Sequence, residues 1–478
     1  MRPVRPLGEA TAVVVAIAAV IGAVIARPVG LVVLVAVTIA VVVARDARWL
    51  AVPALLCSST MAARAWEGAA PARSEAYAGP ATLVGDPQRQ GAIVHAVLDV
   101  RSKRFDVWAP GSPGRRLEQR SAQQVVWVEG RLHPPSPGQR HRLAVRHIVG
   151  QMDVSHVIDW SPGSPLARST QRTRALLERG AGAMDPTDRS LFLGLVLGDD
   201  RRQPPALIDD FRRAGLGHLT AVSGQNVAFL LAVMNPLLRR CRPAWRWLLT
   251  IALLGWFAAL TRFEPSVLRA TVMAAVSATA FGLGRSASPL RVLCLTVTGL
   301  LIVDPFLVWS VGFWLSTAAT AGIVLLSSSI AGVLPGPRWL RLPVAVSLAA
   351  QLGVAPVVWW VFGGEPVAAL PANALGEPAA AFTMTYGLPA GLVAGMAGGP
   401  VPALIHGPVV LCVRWLRFVA RGCAALDVPS LRPTVAASHV ALLVWVLWRV
   451  RRQSAVGSPP VSKTLVGDVP EALRSAGR

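Results

Sequence analysis

The chain is poor in acid, in cysteine and in recognisable catalytic machinery. Asp and Glu number 25 against 47 Lys and Arg, and the net charge of +22 rests almost wholly on arginine. Such an excess suits a polyanionic partner, nucleic acid or anionic lipid. The five cysteines (Cys57, Cys241, Cys294, Cys412, Cys423) form no C-x-x-C pair, and four lie in or beside apolar runs. Neither a disulfide framework nor a cysteine metal site is expected. The eight histidines are scattered, without the ligand spacing of a metal hydrolase. No G-x-x-x-x-G-K-[ST] string is present, so no phosphate-cradling nucleotide loop is expected. No enzyme activity and no cofactor follow from these residues.

What the chain has in abundance is apolar length. It is 53% hydrophobic with a mean hydropathy of +0.51, which excludes an ordinary soluble protein of 478 residues. Apolar segments fall near 10–26, 28–44 and 49–63, and again near 219–238, 247–261, 266–283, 290–303, 309–327, 343–362, 379–398, 403–420 and 435–449. Arginine clusters at 239–246, 285–291, 338–341 and 449–452 separate them. Placing those clusters in the cytoplasm gives about twelve spans with both termini inside. The segment 403–420 is open to two readings. Its Arg414, Arg417 and Arg421 share one helical face, so it either crosses the membrane or lies flat at the interface.

Residues 66–165 read differently. Short alternating runs appear at 92–98, 104–108, 124–132 and 142–145, punctuated by Gly, Pro and Ser. That pattern predicts a small all-β, OB-like barrel. The fold class is therefore a polytopic α-helical membrane protein with an inserted extracytoplasmic β domain. Its parts are N-terminal spans at 1–65, the β domain at 66–165, a connector at 166–210, a helical membrane domain at 211–450 and a disordered tail at 451–478. Residues 66–185 carry 16 Arg and Lys against 11 Asp and Glu, a modest basic excess. Core placement is expected of Trp108 and Trp127, with base stacking as the alternative. Asp185 to Asp188 offers caps for a helix that ends at Gly198-Asp199-Asp200, where a turn is expected rather than a metal site.

The densest polar cluster in an apolar run is Phe211 to Asn235, with His218, Thr220, Ser223, Gly224, Gln225 and Asn226. Polar groups at membrane depth must face protein or water. The two readings are a polar knot between helices and the wall of a hydrophilic path. On an unbroken helix Gln225 lies below His218, about two turns on, and Gly224 with Ala228 forms a close helix contact. Downstream, Arg262 and Arg269 flank Pro265 at the start of a span. They read either as phosphate contacts or as a Glu264–Arg269 latch with one snorkelling charge. Gln351 with Pro356, and Asn373 with Glu377 and Pro378, place polar groups and helix breakers in or near apolar spans. Broken helices at depth line a cavity or pack in protein.

The string from Ala214 to Val227 resembles the hallmark of the ComEC-type DNA internalisation proteins of natural transformation. Gln225-Asn226 stands where that pattern has an apolar residue and a second histidine. The stretch Pro265-Ser266 with Arg269-Ala270 and Met273, the pair Asp304-Pro305 with Gly312 to Ser316, and the strings ending at Pro356 and Pro378 resemble further family motifs in the same order. Trp314 replaces a usual glutamine, and Glu377 a usual apolar residue. The resemblance runs from about 170 to 390 and is one of architecture only in the β region. It implies an inner-membrane channel for single-stranded DNA, with a path lined by His218, Ser223, Gln225, Asn226, Arg262, Arg269, Gln351 and Asn373. It also implies a DNA receptor outside, a helicase-like ATPase inside and membrane lipid around. Fuller members add a metallo-β-lactamase-like domain, whose HxHxDH signature is absent here, so any nuclease is expected to be a separate protein. The rival expectation is a transporter or envelope-assembly protein for a small or lipidic anion on the same fold. A family remnant without transport is a third.

Overall fold

The structure, a computed structural model, describes residues 8–30, 37, 47–220, 224–284, 288–397 and 401–455. The predicted apolar segment 28–44 falls almost wholly outside them, as does most of the predicted tail. Helices α1 (Glu9–Ile25) and α2 (Ala51–Gly68) pack together, with Ser58 Oγ donating to the Ala19 carbonyl at 2.7 Å.

The chain then enters the β region. Its strands are β1 (Glu75–Leu83), β2 (Gln88–Gln90), β3 (Ile93–Val100), β4 (Lys103–Pro110), β5 (Val125–His133) and β6 (Ile148–Ser161). The sheet order is β1-β5-β6-β4-β3-β2, and a β1–β3 pairing closes it on itself. The β4–β6 pair is parallel and the others are antiparallel. Alternation explains the filling. Val94, Leu98, Phe105, Val107, Val126, Val128 and Met152 point inward and are buried. The same parity turns Trp108 and Trp127 outward, at 42% and 48% exposure, so the expected core placement of both is corrected. Helix α3 (Gly111–Glu118) covers the barrel between β4 and β5 through the buried Leu117. The stretch 142–145, predicted as a strand, instead forms the end of the short helix α4 (Arg140–Ala144) and its C-cap Val145. Its alternation is helical spacing over too few residues to tell apart. Strands β1 and β6 complete the sheet in its place; Gly79-Pro80 inside β1 and Gly150 inside β6 hide them from a pattern search.

Helix α5 (Pro165–Gly180) starts with Ser164 Oγ accepting from the Ala167 N–H. Helix α6 (Pro186–Leu197) starts with Asp185 accepting from the Thr187 N–H and ends at the left-handed Gly198. Both caps follow ordinary rules. Helices α7 (Pro205–Arg213), α8 (Gly217–Thr220) and α9 (Gly224–Leu238) carry the polar cluster. After them come α10 (Pro243–Leu260), α11 (Pro265–Gly282), α12 (Pro289–Val303), α13 (Val311–Val333) and α14 (Arg338–Phe362). The last are α15 (Ala369–Thr385), α16 (Gly387–Met396), α17 (Val401–Ala424) and α18 (Arg432–Ala455).

Five stretches are long and apolar enough to cross a membrane: Pro243–Leu260, Val311–Val333, Leu340–Phe362, Ala369–Met396 and Val401–Ala424. Glu9–Ile25, Gly224–Leu238 and Pro289–Val303 are apolar but shorter. The expected twelve crossings are not all matched by such helices among the described residues. Helix α11, with Ser266, Arg269 and Thr271 in its first half, is one that falls outside the five. Helix α17 contains the 403–420 segment. It is among the five, and its Val409, Val413, Leu416 and Ala420 are buried. Helices α13 and α14 cross at Gly322 and Gly353, where any Cβ would overlap the Ala349 and Ala318 carbonyls respectively.

Candidate functional site

Pro265 opens α11, and its fixed φ suits the first helical turn. One turn in, Arg269 is 5% exposed. Its Nε donates to Ser316 Oγ at 2.9 Å, Nη2 reaches the same oxygen, and Nη1 lies 3.0 Å from Met273 Sδ. Among the described residues no carboxylate pairs with it. Glu264, expected as its latch, is exposed and makes no such pair. A buried guanidinium with a single hydroxyl and a thioether is under-compensated.

The first residue of α9 lies against that guanidinium. A Cβ at Gly224 would stand 3.2 Å from Arg269 Nη2 and 3.0 Å from Ala270 Cβ. Three strings of the sequence thus meet here: Gly224 to Asn226, Pro265 to Ala270, and Gly312 to Ser316. The partner expected for Gly224, Ala228, is exposed instead. Asn226 is buried and its Nδ2 donates to the Leu195 carbonyl of α6 at 3.1 Å. His218 and Gln225 are exposed. Their expected stacking passes through residues 221–223, and Ser223 itself lies outside the described residues. Gln351 on α14 and Asn373 on α15 are buried on other elements. Helix α15 packs against α9, so Asn373 rides on a neighbour of the motif helix.

Arg262 is not brought to Arg269. It sits in a turn where Arg262 and Phe263 both have positive φ, 62° and 56°, a conformation that non-glycine residues adopt only when held. What holds it is Asp86, in the β1–β2 loop of the barrel. Asp86 also pairs with Arg201 at 2.9 Å and Arg174 at 3.6 Å, and accepts from the Ala122 N–H at 2.6 Å. Arg201 in turn holds Asp199 through Nε at 2.7 Å. Burial pushes the Asp199 carboxyl up, but the hydrogen bonds and charge of Arg201 outweigh it and leave the group below its ordinary value. Burial pulls the Arg174 guanidinium down to about 10, against the pull of Asp199. Three arginines and two aspartates from the barrel, α5, the end of α6 and the turn before α11 form one buried knot. In the sequence Asp199 reads as a turn residue and Asp86 carries no expectation. The available signal was an isolated acid, Asp86, in a basic region.

Another buried acid, Asp188 in α6, is 1% exposed in its side chain and takes Arg414 Nε at 2.9 Å and Arg417 Nη1 at 2.5 Å from α17. The arginine face noted in the sequence is thus a latch between helices. On the barrel surface His95 Nε2 and Trp108 Nε1 both bond Asp106, at 2.6 and 2.8 Å. Trp160 lies exposed under the Arg120 guanidinium, 4.4 Å from it. Among the described residues no group of three His, Cys, Asp or Glu could hold a metal.

Comparison with known proteins adds the family. A model described as "Competence protein" matches residues 195–453, more than half of the chain. ComE operon protein 3 of Bacillus subtilis (strain 168) is 26% identical over 269 residues, covering 56% of this chain and 34% of that protein. The uncharacterized protein YcaI of Escherichia coli (strain K12) is 28% identical over 227 residues, covering 44% and 29% respectively. An uncharacterized protein of Aquifex aeolicus (strain VF5) is 30% identical over 171 residues, 36% of this chain and 40% of that protein. The chain thus spans less than half the length of these relatives. No solved structure matches. The matched region contains the convergent strings around Arg269, and the chain belongs to the Competence protein family.

Proposed function

We propose that this protein is a multi-pass inner-membrane channel that passes single-stranded DNA into the cytoplasm during natural transformation. The observation that carries the reading is Arg269, a buried cation with no carboxylate partner among the described residues, where three motif strings meet. A passing phosphodiester would supply the missing negative charge. His218, Ser223, Gln225, Asn226 and Arg269 form the first part of the path, and Gln351 and Asn373 continue it. Arg262 acts instead as an anchor for the turn that presents α11. Contacts must be few and weak enough for the strand to leave. The barrel is read as OB-like: its closed strand order and the parallel β4–β6 pair support this. Its exposed Trp108, Trp127 and Trp160 would guide bases by stacking. A DNA receptor outside and a helicase-like ATPase inside complete the system, since the chain carries no nucleotide loop.

The test is uptake of labelled DNA in a competent host with the gene, without it, and with Arg269→Ala. Deletion is expected to abolish cytoplasmic label while surface-bound DNA persists, and Arg269→Ala to lower cytoplasmic label at least tenfold, about 1.4 kcal/mol. Normal uptake in the deleted strain would overturn the channel reading and leave transport of a small or lipidic anion as the one to pursue.

A further inference from the structure

The crossing of α14 and α15 holds buried oxygen atoms that lack donors. Gln351 and Asn373 are 7% and 8% exposed, and Gln351 Oε1 and Asn373 Oδ1 have no hydrogen-bond partner. Glu377 accepts only from Ser347 Oγ, at 3.5 Å, and among the described residues no arginine, lysine or histidine pairs with it. The arginine partner that a carboxylate here calls for is therefore not found. An ionised carboxylate at this depth needs compensation.

The backbone adds one more buried acceptor. Pro356 and Pro378 lie inside α14 and α15. Proline has no N–H, so the carbonyls four residues earlier, Leu352 and Ala374, lose their intrahelical donors. Each freed carbonyl stands one residue after an orphaned amide, in the repeated spacing Gln351–Pro356 and Asn373–Pro378, but Leu352 is buried and Ala374 is exposed, so only the first belongs to the crossing. The two helices run antiparallel at this point. Leu370, early in α15, packs against the cluster holding Leu348 and Leu352, while Ser347 reaches Glu377 further on. Gln351 and Asn373 each lie one turn from that pair, on the side toward the connecting loop, and so fall at one level.

We infer that the α14–α15 crossing binds a single monovalent alkali cation, held by Ser347, Gln351, Asn373, Glu377 and the freed carbonyl of Leu352. The donor set is all oxygen, which selects hard cations. It carries one formal negative charge, which balances one positive charge, whereas calcium sites gather several carboxylates. Broken helices that offer backbone carbonyls near the midplane are a known way to hold sodium. On the proposed path, the cation would also screen Glu377 from a strand of phosphates.

The inference is tested without DNA, so its failure and that of the channel reading are distinguishable. The purified full-length protein is unfolded thermally in sodium, potassium or choline chloride at equal ionic strength. The midpoint is expected to rise saturably in sodium or potassium but not in choline, and the arm that responds identifies the ion. Glu377→Gln is expected to lose the response and Gln351→Leu to weaken it. An equal effect in choline overturns the site, as does an undiminished response in Glu377→Gln. A wild type indifferent to all three ions, but less stable as pH rises in a manner that Glu377→Gln removes, would place a proton there and also overturn it. Should the variants not fold, saturable binding of radiolabelled sodium to the wild type, displaced by unlabelled sodium or potassium, is expected. Its absence, together with absence of a potassium response, overturns the site.

Discussion

Gly224 shows how a residue's size sets what its neighbour can do. A methyl group there would press on Arg269 Nη2 at 3.2 Å and Ala270 Cβ at 3.0 Å. Guanidinium and helix must both yield, and overpacking of this kind costs about 1–3 kcal/mol. Gly224→Ala is therefore expected to lower the thermal midpoint and to reduce uptake by displacing Arg269. Unchanged stability and uptake would mean that the contact relaxes freely. Ser316→Ala acts from the other side. It removes the hydroxyl that takes both Nε and Nη2, leaving a buried cation with a thioether, at a cost of about 1–3 kcal/mol. The sequence made Arg269 visible because a charge inside an apolar run stands out. Ser316 stands in a motif string, but its bond to Arg269 was not legible, since a serine in a membrane helix most often bonds its own backbone.

Among the elements, α17 and the β3–β4 ladder carry opposite lessons about charge. Asp188 is almost wholly buried, while Arg414 and Arg417 keep 63% and 38% of their side chains exposed. Removing the acid leaves two arginines whose side chains are already partly exposed, which costs less. Removing both arginines strands a buried carboxylate, which costs about 3–5 kcal/mol. The double variant Arg414→Ala with Arg417→Ala is thus expected to be clearly less stable than Asp188→Ala, by thermal unfolding in detergent; the reverse order would show that Asp188 gains water when its partners leave. In the ladder, burial raises the Asp106 carboxyl, but hydrogen bonds from His95 and Trp108 outweigh it and hold the group below its ordinary range. A depressed carboxyl stabilises the fold above its unfolded value, about 3.9, and loses that contribution as pH falls through the lower folded value. Hydrogen exchange of β3 and β4 is expected to accelerate below about pH 4 in the wild type. In Asp106→Asn this acid step should vanish and exchange at neutral pH should be faster. The ladder was legible because 92–98 and 104–108 alternate cleanly; β1 and β6 were not, because glycine and proline interrupt them.

At the scale of the whole molecule, the helical body was legible from apolar length and the ordered strings, while its connection to the barrel was not. That connection is made by residues distant in sequence, Asp86, Arg174, Asp199, Arg201 and Arg262, and no local pattern records it. Asp86 is its centre, because three guanidiniums converge on one carboxylate whose side chain is 2% exposed. With Asp86→Asn, among the described residues Arg174 and Arg201 keep Asp199 within ion-pair distance and Arg262 keeps no carboxylate there. Breaking a buried pair from one side costs about 3–5 kcal/mol. The loss is expected at the seam rather than throughout, because the barrel and the helical body have separate apolar cores. Exchange should rise in the β1–β2 loop, at the end of α6 and in the turn at 261–264, while the strands of the barrel stay protected. Arg262 lies seven residues before Arg269 on the same segment. A loosened turn therefore reaches the start of α11, and uptake should fall even though no residue on the proposed path has changed. Exchange that rises evenly over the barrel would show that Asp86 supports the sheet itself, and unchanged exchange at 261–264 would show that the two bodies are joined elsewhere.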